Sequence, residues 1–448
     1  MFLVTNSYSP DPASATTLSA RQVRLIAFVG IALTALNMRA AVTALPPLIG
    51  RITPDLGLDS GAVGVLVMLP TAMFAVSAFA APQLLRRLGL PGLLIAAMVL
   101  TALGQISRVL GPSTATLFGG SLLALFAIGV TNAVAPLAVR EYFPDKIRSM
   151  SMTYMLFMQA GMMLPPLLVE PVATAAGSWQ LSLASWSLFA VAATLPWIPL
   201  ALAARKNPLP NASASPNPDT TPTPTLIPMW RSPIGLGLFA MFGFTSFSTY
   251  CLIGFIPQIF TDAGASPEFG GMMLSYWAML GGIIAVLGPW LVDRFRDPFG
   301  VLAIFLFLYC AGTAGMLLSP MSLPWLWVTM SGLGPIAFPM ALTLVNYRAR
   351  TAVGARSLSA LCQGAGYTVA CAGPVAFGAL YGATGNWVAP LGIFIAATAV
   401  VAVGGFFATR PAMVEDTIAE WGLRGIYRRR RAARAGRVEQ LDDAPDSN

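Results

Sequence analysis

The sequence predicts an all-α integral membrane protein of twelve transmembrane helices in two halves of six. Three observations carry this. The chain of 448 residues is 56% hydrophobic and only 10% charged, with a mean hydropathy of +0.71, more apolar material than a soluble chain of this length needs. The apolar residues fall in runs of roughly 18 or more, long enough to cross a bilayer. One long polar stretch separates six such runs from six others, and the two sets echo one another.

Taken in order, residues 1–23 are polar and lack a basic segment followed by a short apolar core, so no cleaved signal peptide is expected and the first span serves as the insertion signal. The N-terminal half occupies 24–203, with spans at about 24–50, 60–85, 90–110, 115–139, 149–171 and 180–203. A linker follows at 204–232. Its centre, Arg205 to Pro228, is rich in Pro, Ser, Thr and Asn, cannot bury apolar surface, and reads as disordered. The C-terminal half occupies 233–408, with spans at about 233–259, 267–291, 299–319, 324–346, 357–382 and 387–408. A basic tail, 409–448, closes the chain.

Orientation follows from Lys and Arg. All but three of the 26 lie in one set of loops and the C-terminal tail. The exceptions are Arg51 and Arg108, on the opposite face, and Arg39. Both termini are therefore expected in the cytoplasm, in a bacterial-type inner membrane. The net charge of +8 forms no nucleic-acid-reading surface, because the cations are scattered over loops and tail. The cluster Arg428 to Arg437 reads as a topology determinant in a solvated tail rather than as a lipid-binding patch.

Composition also excludes chemistry. There is no His, so imidazole metal sites and His proton relays are ruled out. Cys251, Cys310, Cys362 and Cys371 all lie in apolar spans and read as small hydrophobes. No phosphate-binding loop, metal cluster or nucleophile–base pair stands out, so no cofactor, metal or enzymatic activity is expected.

The halves repeat. Pro82-Gln-Leu-Leu-Arg86-Arg87-Leu88 aligns with Pro289-Trp-Leu-Val-Asp293-Arg294-Phe295 at an offset of 207, and Trp179 and Trp387 each open the last span of a half. The same offset sets Ser246 opposite Arg39. Parallel repeats of six spans belong to transporters that rock around a site between the halves.

The loop from Gly288 to Phe295, with Asp293-Arg294 inside it, resembles the loop signature of the major facilitator superfamily. The resemblance implies that Asp293 and Arg294 act in gating, pinning neighbouring helix ends. The first-half copy departs from the pattern, with Arg86 where the Asp is expected. Within that superfamily the chain is similar to the cyanate permease and 2-nitroimidazole transporter branch. The matching stretches include Leu36-Asn37-Met38-Arg39, Gly129 to Pro136, Trp179 to Ala184, Phe242 through Ser246 to Tyr250, Gly332 to Pro339, and Gln363 to Tyr367 with Gly373-Pro374. The resemblance implies the major facilitator fold, a monomer, and alternating-access transport of a small anion or small polar solute. The alternative is efflux of small drug-like aromatics such as nitroimidazoles.

Arg39 is the residue the rest is read against. It is the only charge inside the first apolar run, about 15 residues or roughly 23 Å along it. A charge at that depth costs at least ~2.5–3.5 kcal/mol on insertion scales, and such residues face a bundle interior or a water-filled cavity. The eighteen acids lie in tails, linker and loops, save Glu170 near the outer end of span 5. A direct Arg39–Glu170 pair requires tilted helices. A buried cation without a fixed anion recruits one, and a guanidinium offers a planar fork to it. Candidate partners around the substrate are Asn37, Gln159, Ser246, Tyr250, Gln363 and Tyr367. Any one of these could equally be an interhelical hydrogen bond worth ~0.6 kcal/mol. Ser246 with Tyr250, and Gln363 with Tyr367, are four residues apart and share a helix face. With no His or carboxylate at mid-membrane, simple proton exchange is poorly supported. Uniport, exchange and symport with a protonated substrate stay open. A non-transporting sensor would need a structured partner site, which linker and tail do not offer.

Overall fold

The computed structural model describes residues 19–111, 113–206 and 228–418. The N-terminal residues 1–18, the linker core 207–227 and the tail from 419 onward, including Arg428 to Arg437, lie outside the described residues.

Twelve membrane-length helices are present among the described residues. They are α1 (Arg21–Leu56), α2 (60–88), α3 (90–107), α4 (Thr114–Tyr142), α5 (Ser149–Ala176) and α6 (Trp179–Ala204). After the linker come α7 (Pro233–Asp262), α8 (Pro267–Arg294), α9 (Phe299–Leu318), α10 (Pro324–Tyr347), α11 (352–384) and α12 (Val388–Ala408). The chain is a multi-pass membrane protein. α2 and α3 run almost continuously over Ser60–Ser107 and are divided only at Gly89, whose φ of 68° and ψ of 168° are non-helical. Only glycine takes that backbone cheaply, so the reversal between two spans costs a single residue.

Local signals place the helix starts. Ser19, Asp59, Ser113, Ser178, Ser232, Ser266 and Thr351 each accept a hydrogen bond from a first-turn backbone N–H. These caps satisfy donors that a helix start leaves open. Several helices are interrupted along their length: α6 in two places, α10 by a 3-10 turn at Gly334–Ile336, and α1 and α11 as well. α1 loosens into a 3-10 turn at Pro46–Leu48 before resuming at Ile49–Leu56, because Pro46 and Pro47 lack the N–H groups the helix needs. α11 carries a π-helical turn over Ala360–Ala365.

The repeat seen in the sequence is built into the structure. At the face opposite the Arg-rich loops, Trp179 donates its indole N–H to Asp55 (2.8 Å) and Trp387 donates to Asp262 (3.2 Å). Each bond ties the start of the last helix of a half to the end of its first. Beside the first of these, Glu170 accepts from Arg51 at 2.9 Å, Arg51 also donates to Thr174, and Thr174 reaches Glu268 of α8 at 3.5 Å. Glu170 is thus engaged by Arg51, nearer the membrane surface than Arg39.

The halves meet along two seams, α2 against α11 and α5 against α8. Small residues make the approach possible. A Cβ on Gly64 would lie 2.9 Å from the Pro374 carbonyl oxygen, and one on Gly271 would collide with the Pro166 carbonyl. Along the second seam Ser275 donates to the Met163 carbonyl (2.8 Å) and Gln159 to the Ala278 carbonyl (3.0 Å). The same helix faces continued toward the Arg-rich side are exposed: Met152, Met155 and Leu156 on α5, Ile283 and Val286 on α8, Val76 and Phe79 on α2, Gln363 and Gly364 on α11. The helices are packed together on one side of the bilayer and splayed on the other. The molecule therefore opens toward its Arg-rich face.

Candidate functional site

Arg39 stands where the seams begin to part. Helical side chains tilt toward the helix N-terminus, so its long chain carries the guanidinium back from the α1 break toward the open side. It lies deep in the molecule yet keeps part of its surface accessible, as a residue lining an interior space does. Around it stand four aromatic rings from both halves. Its guanidinium carbon is 5.8 Å from the ring centre of Phe74 on α2. The hydroxyls of Tyr250 on α7, Tyr367 on α11 and Tyr154 on α5 stand close enough to interact with it electrostatically. Tyr367 meets Phe242 edge-on at 5.2 Å, and Phe242 lies against Phe338 at 4.9 Å, which continues the aromatic wall into α10. The ion pairs formed among the described residues are Arg24–Asp145, Arg51–Glu170 and Arg350–Asp416. Arg39 is in none of them.

This geometry leaves a cation facing an aromatic-walled space with neutral hydroxyl partners. The tyrosines orient the guanidinium and supply hydroxyl donors, but they do not cancel its charge. A cation held over a ring face gains ~0.5–2 kcal/mol, which steadies the charge without neutralising it.

The other candidate residues are dispersed. Tyr250 and Tyr367 join Arg39. Ser246 is buried one turn before Tyr250 and donates to the Phe242 carbonyl of its own helix (2.8 Å). Asn37 is fully buried and bonds the Met98 sulfur of α3 at 3.4 Å; two residues from Arg39, it points to another side of α1. Gln159 holds α5 to α8 through the Ala278 carbonyl. Gln363 lies in the π turn of α11, is exposed and donates to Ser359 at 2.7 Å. Asp293 accepts from the Tyr347 hydroxyl (2.6 Å), linking the Arg-rich ends of α8 and α10, while Arg294 lies in the last turn of α8.

Of the Arg39 surround, Phe74 is missed by sequence reasoning, while Tyr154 reads from its position as a polar group nearer the cytoplasm and outside the site. Tyr154 sits early in α5, and only the backward reach of Arg39 brings the two together. The contact of its hydroxyl with the Met38 sulfur (3.8 Å) marks how far the α1 side chains descend. Phe74 has no signal beyond its place on a packed face of α2.

The model of the Major Facilitator Superfamily matches residues 27–371. The "Uncharacterized transporter YycB" of Bacillus subtilis (strain 168) is 29% identical over 379 residues, covering 84% of this chain and 91% of that protein. The 2-nitroimidazole transporter of Escherichia coli (strain K12) is 29% identical over 378 residues, with 84% and 93% covered. The cyanate transport protein CynX of the same organism is 27% identical over 359 residues, with 80% and 90% covered. Among solved structures, a bacterial homologue of the human lysosomal transporter Spinster superposes with a TM-score of 0.68 in its inward-facing, unoccupied form and 0.66 in its inward-facing, occupied form. Each is 14% identical, with 90% of this chain and 99% of that chain covered, a likeness of fold.

Proposed function

We propose, from the premise that the chain belongs to the Major Facilitator Superfamily, that it carries a small anion or small polar solute across the inner membrane by alternating access, with Arg39 binding the negative end. The observation that carries this reading is a guanidinium placed between the halves, partly accessible, ringed by tyrosines, and in no ion pair among the described residues. The positive-inside distribution sets the Arg-rich face and both termini in the cytoplasm, so the space around Arg39 opens inward. Tyr250 and Tyr367 orient the guanidinium and line the site. Asp293 and Arg294 sit where helix ends must rearrange for the halves to rock. Two relatives are named for cyanate and 2-nitroimidazole transport, and both names fit a group that a planar N–H fork can hold.

A second reading rests on the wall of the site. Phe74, Tyr154, Tyr250, Tyr367, Phe242 and Phe338 offer faces and edges to a flat ring, which favours efflux of small nitro-aromatic compounds whose nitro oxygens meet Arg39. The two readings separate in one binding experiment. Thermal stabilisation of purified protein is measured against cyanate, nitrate, 2-nitroimidazole and plain imidazole, on wild type and on Arg39→Ala. Stabilisation by cyanate or nitrate, lost in Arg39→Ala, supports the anion reading. Stabilisation by 2-nitroimidazole alone supports efflux. Stabilisation unchanged in Arg39→Ala refutes a binding role for Arg39.

A further inference from the structure

A second arginine is buried on the far side of Tyr250. Arg108 caps the end of α3 and is 2% exposed. Sequence position puts it at the membrane surface, but the fold carries it inward. Gly104 and Gly120 press α3 against α4 so closely that a Cβ on either would strike the other helix, and this drives the Arg108 side chain toward α1. There it donates one hydrogen bond, Nη1 to the Ala41 carbonyl at 3.2 Å, on the turn before Pro46-Pro47 interrupt α1. The cap on the broken helix uses one guanidinium nitrogen. Nε has no partner, and neither does the Ser121 hydroxyl or the side-chain amide of Gln105, each buried. Arg108 belongs to no ion pair among the described residues.

Of these, Arg108 and Ser121 border a cavity of about 20 Å³ that Tyr250 also lines, with Ala41, Leu45 and Pro70 among the apolar walls. That is room for about one water-sized body. Water alone would leave the Arg108 charge uncancelled in an apolar surround. We propose that this cavity binds a monatomic inorganic anion of halide size, chloride being the natural probe, held by the Arg108 guanidinium with the Ser121 hydroxyl. The space is too small for a triatomic anion or a ring, so this site is separate from the one at Arg39 and does not depend on which substrate is carried. Tyr250 stands beside both: its hydroxyl neighbours Arg39 and the residue lines the Arg108 cavity. An anion in the cavity gives its hydroxyl proton a partner and steadies the orientation that meets Arg39.

The test uses full-length protein in detergent, exchanged into chloride-free gluconate buffer and titrated with chloride and with bromide. The proposal expects a saturable rise in melting temperature with either halide. Arg108→Gln removes it or weakens halide affinity roughly 10- to 100-fold, and Ser121→Ala weakens it less. Arg39→Ala leaves it in place. Crystals grown in bromide show an anomalous peak in the cavity of the wild type, a readout that survives if Arg108→Gln fails to fold. No halide-dependent stabilisation and no bromide peak in the wild type overturns the proposal. So does a halide effect that persists in both Arg108→Gln and Ser121→Ala, or one abolished by Arg39→Ala.

Discussion

Replacing Arg39 with Lys keeps the charge and removes the fork. The guanidinium presents five N–H donors in a planar fork beside Tyr250, whereas an ammonium has three donors without planar geometry. Losing one charged hydrogen bond costs ~1.5–3 kcal/mol, so ligand affinity falls roughly 10- to 100-fold, each tenfold step being about 1.4 kcal/mol. Arg39→Met removes the charge entirely. Its effect on stability has the opposite sign, because a charge held without an ion-pair partner is replaced by an apolar chain of similar length, which removes its desolvation cost. The expected pattern is therefore weaker binding in Lys, none in Met, and a melting temperature for Met at or above wild type. Isothermal calorimetry on the best ligand and a thermal scan without ligand measure the two arms. Wild-type affinity in a folded Arg39→Lys protein refutes the fork. A large drop in the melting temperature of Arg39→Met refutes the premise that Arg39 is held without a counter-ion.

Other consequences follow from the packing. Gly271→Ala raises intrinsic helix propensity by about 1 kcal/mol, yet its Cβ collides with the Pro166 carbonyl across the seam. Flux should fall with the fold intact, whereas Gly50→Ala, which meets nothing within 4 Å, leaves flux unchanged in the same proteoliposome assay. Arg51→Ala strands the buried Glu170 carboxylate and should destabilise by ~1–3 kcal/mol. Adding Glu170→Gln should restore part of that loss, a coupling read from a double-mutant cycle in thermal scans. Trp179→Phe removes the 2.8 Å bond to Asp55 and should cost about 1 kcal/mol. Trp387→Phe should cost less, since Asp262 keeps the Tyr381 hydroxyl at 2.7 Å. With no His in the chain and the described acids away from Arg39, flux of a fully ionised substrate should vary little over about pH 5.5–8.5. A tenfold change across that range would point to a titrating group on the path.

Much of this architecture is legible in the chain. Apolar runs fix the helices, Lys and Arg placement fixes the topology expected, and the offset between halves anticipates the matched Trp–Asp ties. Arg39 is conspicuous because a lone charge in an apolar run has a cost that position alone reveals. Tyr250 and Tyr367 follow from their place on helices that border the interface. What sequence does not reveal is direction and rotation. Asn37 is adjacent to the site in sequence and faces α3 in space. Gln363 lies in the π turn at 360–365 and bonds Ser359, and no residue spacing announces that turn. Tyr154 joins the site through the backward reach of the α1 side chains, which a count of residues from a helix start leaves out. Arg108 reads as a surface charge because its position is at a span edge, and its burial depends on the close contact of α3 with α4.

The central claim is that Arg39 is the residue on which transport of a small negative or electronegative solute depends. Its most direct test is counterflow of labelled cyanate, nitrate and 2-nitroimidazole into proteoliposomes, with wild type beside Arg39→Ala at equal incorporation. Saturable wild-type exchange of at least one of these solutes is expected, with a fall to the empty-liposome rate in Arg39→Ala. Exchange that continues at the wild-type rate without Arg39 would contradict it.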